Sequence, residues 1–291
     1  MNSAPPDRPD IFDRRLRSLR RDRMLARFPD HDFLYRAMLD ELLDRLADVR
    51  RDLPRALVIG CPDGSAKAAL EALGKQVICV DPSYAAARAA AGVQADEDAL
   101  PFADDSFDLV LACGTLDSVN DLPGALILIR RVLKADGLML AAFAGAGSLP
   151  RLRAALMAGE GDRAAQHIHP QVDVRSAGDL LARAGFAMPV ADGETLTVRY
   201  GDMFALMRDL RGMGGGNALA ARPPMIRRDA LMAAAAHFSA AADPDGRTTE
   251  RLAIVYLSGW KPDPSQAKPA RRGSAKVSLA QALKGKGAPG N

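Results

Sequence analysis

Cysteines, long apolar runs and net charge are all scarce in this chain of 291 residues. The 3 cysteines, Cys61, Cys79 and Cys113, form no CxxC pair and no Cys/His ligand spacing. Neither a disulfide framework nor a zinc module is specified, and buried thiols in a reducing compartment are expected. No run approaches the roughly 20 apolar residues that span a bilayer, and no apolar signal core lies near the start. The formal net charge of +3 is too small to argue for a nucleic-acid partner. An arginine-rich opening from Arg8 to Arg27 is interrupted by Asp10, Asp13 and Asp22, whereas transit peptides are poor in acid. The expectation is an amphipathic surface helix of a cytoplasmic protein. What the chain does have is 48% hydrophobic content, ample for a globular core.

The pattern along the chain predicts helices first. Residues 11 to 50 read as helical, with Phe33, Leu34, Met38, Leu42, Leu43 and Leu46 recurring at three- and four-residue steps. From 55 to 143 strands near 55–60, 76–81, 107–113 and 137–143 alternate with helices, which predicts a parallel sheet with right-handed crossovers. Asp121 is a plausible N-cap of the helix that follows it, with Pro123 in the first turn. Another helix spans 174 to 186 and ends at Gly185. Residues 250 to 260 read as a late strand that is not followed by a crossover helix, so the last pairing is expected to be antiparallel. Two helical stretches within 201–240 flank Gly212-Met-Gly-Gly-Gly216. The segment from Lys261 onward is basic and rich in Pro and Gly, a surface or disordered tail.

The most informative residues lie between 55 and 81. Arg55-Ala-Leu-Val-Ile-Gly60-Cys-Pro-Asp-Gly64 reads as a buried strand, a tight turn and a helix start, and Gln76-Val-Ile-Cys-Val-Asp81 as the next parallel strand. In open α/β sheets such a unit binds adenosine-containing cofactors: the turn lets a ligand approach the backbone, and the acid at the next strand end accepts from ribose hydroxyls. Pro62 stands where such loops place a second glycine, removing one backbone N–H and fixing φ. The ordinary alternative for Asp81 is to cap the helix starting near Ser83. Asp63 is either a turn former or an acidic cofactor contact, and Asp104, Asp105 and Asp108 read as turn and capping residues. His167, His169 and Asp173 have the donor types of a two-histidine, one-carboxylate iron site. Histidines in a short loop are the more ordinary reading, and no metal is expected. Tyr256, in the late strand, is expected in the core with its hydroxyl tethered.

Together, the two strand ends, Asp96-Glu97-Asp98, the segment from Leu100 to Val110 and Leu133-Lys-Ala-Asp-Gly-Leu resemble a class I S-adenosylmethionine-dependent methyltransferase. Over residues 11 to about 280 the chain also resembles the family of the mitochondrial complex I assembly factor 5 and its bacterial relatives, kin to the malonyl-carrier-protein methyltransferase. Ile11-Phe-Asp-Arg14, Val119-Asn-Asp-Leu-Pro123, Met203-Phe-Ala-Leu-Met-Arg-Asp-Leu-Arg-Gly-Met-Gly214, Gly259-Trp-Lys and Ser265-Gln-Ala-Lys-Pro-Ala-Arg-Arg-Gly-Ser274 carry this resemblance. It implies S-adenosylmethionine as cofactor, contacted by Gly60, Cys61, Asp63 and Gly64 in the turn, Asp81 at the ribose, Asp96 and Glu97 beside the adenine, and Cys113 at the end of the fourth strand. The chain departs from the family pattern at Val58, where an acid is usual, at Pro62, and at Leu116-Asp117-Ser118-Val119, where relatives often carry His-Trp.

The resulting expectation is an α/β protein of the class I methyltransferase (Rossmann-like) fold, with about seven mostly parallel strands and helices on both faces. An N-terminal helical cap would occupy 1–50, the methyltransferase-like domain 51–260 with its helical insertion near 201–240, and a basic tail 261–291. The function the resemblance implies is methyl transfer to a protein or small-molecule acceptor, with a respiratory complex I subunit as one candidate. Two other functions stay open: protein arginine hydroxylation of the assembly-factor type, and a non-catalytic assembly protein with a degenerate site. No catalytic residue is assigned, because the cofactor's sulfonium carbon is already activated and transfer needs alignment more than an acid/base pair. Asp81→Ala is expected to weaken cofactor affinity and to spare thermal stability.

Overall fold

Ala56, Leu57, Val58 and Ile59 have no solvent exposure, the pattern of a strand covered on both faces. They belong to β1 (Arg55–Ile59), which pairs in parallel with β2 (Gln76–Asp81) on one side and β4 (Phe107–Cys113) on the other. In this computed structural model, which describes residues 10–161, 163, 167–221 and 224–266, β3 (Val93–Gln94) extends the sheet beyond β2 and β5 (Leu133–Ala144) beyond β4. Direction then reverses: β7 (Thr248–Trp260) runs antiparallel to β5, and β6 (Ala187–Tyr200) antiparallel to β7. The 7-stranded order is β3-β2-β1-β4-β5-β7-β6. The expected fold class, and the place of 250–260 in the sheet, are both met.

Strand alternation divides the core between the two faces. Val58, Leu109, Leu111 and Tyr256 pack with α2 (Phe33–Ala47) and α3 (Ser65–Ala72). Leu57, Ile59, Val110 and Ala112 pack with α5 (Leu122–Val132) and α7 (Val174–Arg183). A third cluster, built on Leu152, Leu206 and Phe238, joins α6 (Pro150–Glu160), α8 (Met203–Gly212) and α9 (Arg228–Ala240). α8 and α9 are the two expected helices of the insertion. Asp121 caps α5 as expected, accepting from Gly124 N at 2.9 Å, and Gly185 follows α7 in the left-handed region at φ +85°.

Three features differ from expectation. Residues 11 to 50 are not one helical stretch: Pro29 sits in a short 3-10 turn (Phe28–Asp30) that separates α1 (Arg14–Met24) from α2. β6 went unread because it is an edge strand, largely exposed, with Pro189 inside a register shift between Ala187 and Val190, a place where an edge tolerates proline. Tyr256 is buried as expected, but its hydroxyl has no hydrogen-bond partner among the described residues. The Arg45 guanidinium stacks over its ring at 4.4 Å instead. Most of the basic tail, 267–291, lies outside the described residues. Gln266 anchors its start, donating to Asp136 Oδ1 at 2.7 Å and to the Lys261 carbonyl at 2.9 Å.

Candidate cofactor site

Gly60 follows β1 at φ +83°, and a Cβ there would lie 2.4 Å from both the Cys113 carbonyl oxygen and the Thr115 methyl. This glycine is required by the approach of β4. Gly64, at φ +76°, has open space around its Cβ position and needs its glycine for conformation alone. Between them Cys61 turns its thiol to Cys79, which holds the Cys61 pKa down. Pro62 lines the neighbouring cavity. Asp63 forms a turn: Oδ1 accepts from Ser65 N at 3.0 Å and Ser65 Oγ at 2.7 Å, opening α3. Cys113 is buried, and burial pushes its thiol pKa up. Its sulfur lies 3.9 Å from the Tyr35 carbonyl.

The acids lie where an open α/β sheet receives ligands, at and just beyond the C-terminal strand ends, and each is held by α1. Asp81 and Glu97 are each 1% exposed, and so are their partners nearly buried, Arg17 at 6% and Arg21 at 7%. Arg21 grips Asp81 with two bonds, Nε to Oδ1 at 3.0 Å and Nη2 to Oδ2 at 2.7 Å. Cys61 N at 3.1 Å and Ser83 N at 2.8 Å donate to the same carboxylate. Arg17 grips Glu97 with two bonds of 2.7 Å and also donates to the Thr115 carbonyl at 2.9 Å and to Ser118 Oγ at 3.0 Å. Arg14 reaches Asp98 at 2.8 Å and Asp96 at 3.2 Å. Burial works against the charge of Arg17 and Arg21, and the facing carboxylates reverse that effect, so both pKa values are raised.

The arginine-rich opening is a surface helix as expected, with Arg15, Leu19 and Arg23 exposed, but the face it buries carries Arg17 and Arg21. Asp13 caps α1 by accepting from Leu16 N at 2.8 Å. Arg14, Arg17 and Arg21 then fall three and four residues apart, on one face of the helix. That spacing, set against an acidic run at 96–98, is the signal that could have found them. The contacts themselves join residues 60 and 80 positions apart.

Beside these pairs lies a cavity of about 180 Å³, reached by Arg17, Arg21, Tyr35, Pro62, Asp117 and His169. Burial raises the Asp117 pKa, and His169 and Arg17 pull it back. Burial lowers the His169 pKa, and Asp117 opposes the shift. His169 Nε2 accepts from Ala218 N at 2.9 Å, which assigns the proton of the neutral ring to Nδ1. His167, also on the cavity wall, pairs with Glu160 at 2.6 Å, and Asp173 caps α7 by accepting from Ser176 N at 2.9 Å. The three candidate iron donors are thus engaged in separate contacts.

The fit of S-adenosylmethionine to these residues is decided by acceptor count. An ionised carboxylate offers about four lone-pair sites, and Asp81 receives four donors. The Gly60 carbonyl accepts from the Tyr35 hydroxyl at 3.1 Å, and Pro62 offers no N–H. The cavity is smaller than the roughly 300–1,000 Å³ of clefts that enclose drug-sized ligands. With α1 docked, Asp81 keeps no acceptor site for a ribose hydroxyl.

Residues 57–141 match the family model described as a methyltransferase domain. The arginine-hydroxylase NDUFAF5, mitochondrial, of Danio rerio is 39% identical over 94% of this chain and 90% of its own. A malonyl-[acyl-carrier protein] O-methyltransferase of Halorhodospira halophila is 35% identical over 82% and 85%. Among solved structures, the YcgJ protein of a Bacillus superposes with a TM-score of 0.55 at 19% identity, covering 78% of this chain and 99% of that one, a likeness of fold. With an identity of 39% sustained along nearly its full length, the chain belongs to the family of NDUFAF5, built on the methyltransferase fold.

Proposed function

We propose that this chain is an enzyme of methyltransferase type that takes S-adenosylmethionine at the C-terminal edge of β1, β2 and β4. Its acceptor would be a protein or small molecule met during respiratory complex I assembly. The observation that carries the reading is the convergence of Asp81, Glu97 and the Gly60 turn on one edge of a parallel sheet, the edge where such sheets take ligands. Asp117 and His169 supply proton-handling groups to the adjoining cavity, where burial favours the neutral form of each. With its proton on Nδ1, the His169 ring can take a proton from an acceptor only at Nε2, and only once Nε2 gives up its bond from Ala218 N. Met24, Phe28, Met38, Leu152 and Leu252 supply apolar lining that limits water.

A second reading is favoured by the relatives that carry the name arginine-hydroxylase: modification of an arginine side chain by hydroxylation. Peptide mass spectrometry of complex I subunits from cells with and without this chain separates the two. A subunit lighter by a methylene group in its absence supports methyl transfer. An arginine lighter by one oxygen atom supports hydroxylation, and unchanged masses in every subunit rule out modification of a complex I subunit by either route.

A further inference from the structure

We infer that α1 is a latch whose arginines compete with S-adenosylmethionine for Asp81 and Glu97, so that the cofactor site opens only when Arg17 and Arg21 let go. The inference rests on the proposed cofactor reading and adds its control. Asp81 has four donors on two oxygens, and two of them come from Arg21. Both oxygens of Glu97 are held by Arg17. Ribose hydroxyls and an adenine amine are donors of the same kind, and the acceptors they need are the ones α1 now holds.

The composition of the buried face of α1 is suited to release. Its buried residues are Arg17, Arg21 and Met24, a single apolar side chain among them, so lifting the helix exposes little hydrocarbon. A buried ion pair contributes little net stability, because desolvation offsets most of the attraction. Exchange of one set of donors for another at the same carboxylates is therefore close to balanced. Further polar contacts set the resting position. Asp22 accepts from the Ser83 hydroxyl and from Ala85 N at 3.2 Å, beside the start of α4 (Tyr84–Ala89). At the other end Phe12 N donates to Asn120 Oδ1 at 2.7 Å, Phe12 bridges to Leu219, and Asp13 N donates to the Ala218 carbonyl at 2.8 Å. The tether to 218–220 couples the latch to the insertion that borders the cavity.

The test uses the full-length protein and S-adenosylmethionine in two arms. In the first, calorimetric titration compares the parent with the double variant Arg17→Met and Arg21→Met, which leaves both carboxylates in place. The expected result is at least a tenfold tighter dissociation constant in the variant. Equal or weaker affinity in a variant with the parent's circular dichroism overturns the latch and leaves cofactor binding standing. The second arm needs no variant: trypsin cleaves after arginine, and α1 carries Arg14, Arg15, Arg17, Arg20, Arg21 and Arg23. Saturating cofactor should speed cutting within α1 of the parent, whereas slower cutting means the cofactor binds beneath a closed helix and the latch is wrong. Absence of binding to both proteins sinks the cofactor reading and the latch with it.

Discussion

Gly60→Ala and Gly64→Ala form a matched pair that separates two reasons for a glycine in one turn. Both positions are left-handed, at φ +83° and +76°, and a non-glycine residue there costs about 1–2 kcal/mol. For Gly64 that is the whole cost, since nothing lies within 4 Å of its Cβ position. At Gly60 the added carbon would meet the Cys113 carbonyl oxygen and the Thr115 methyl, both at 2.4 Å. One of these is backbone of a central strand and cannot rotate aside. Overpacking of a well-filled interior adds about 1–3 kcal/mol. Nor can the turn shift freely, because Gly60 N donates to the Val80 carbonyl at 2.9 Å and its own carbonyl accepts from Tyr35 at 3.1 Å. Gly60→Ala should thus destabilise by about 2–5 kcal/mol and Gly64→Ala by about 1–2 kcal/mol, read from urea midpoints at constant slope. Equal losses at the two sites would refute the close approach of β4 to the turn.

Two further perturbations probe the buried groups. Asp81→Ala should lower stability rather than spare it, by up to about 3–5 kcal/mol for the loss of one partner of a buried pair, and by less to the extent that α1 lifts and hydrates Arg21. An unchanged urea midpoint would contradict the buried pairing with Arg21. His169 should make stability fall as pH drops below about 6.5. Its folded pKa is lowered, so below that pH the unfolded chain takes up a proton that the folded chain resists, and stability is lost between the ordinary histidine pKa and the folded one. His169→Gln should flatten that part of a stability profile measured from pH 7.5 to 5.5, and a profile identical to the parent's would count against the desolvated imidazole.

The parts of the site legible in the sequence were the local ones. A strand of apolar residues, a turn with glycine at both ends and an acid closing the next strand are each contiguous, and Gly60, Gly64 and Asp81 fall where that pattern puts them. The arginine helix was not legible, because a run of Arg with Asp reads as a solvated face until Glu97 and Asp81 are brought under it by the fold. The pairing with Arg21, 60 residues upstream, replaces the expectation that Asp81→Ala would spare thermal stability with the opposite prediction. β6 escaped because an exposed edge strand interrupted by Pro189 lacks the apolar alternation that marks a half-buried strand. The turn role of Asp63 was legible because its partner Ser65 is two residues away.

Calorimetric titration of the intact parent protein with S-adenosylmethionine tests the central claim most directly. The account predicts saturable binding at one site per chain, abolished or weakened at least tenfold by Asp81→Ala. No saturable binding to the parent, and none to the Arg17→Met, Arg21→Met variant in which Asp81 and Glu97 are freed, would contradict it and leave a non-catalytic assembly protein that keeps only the fold.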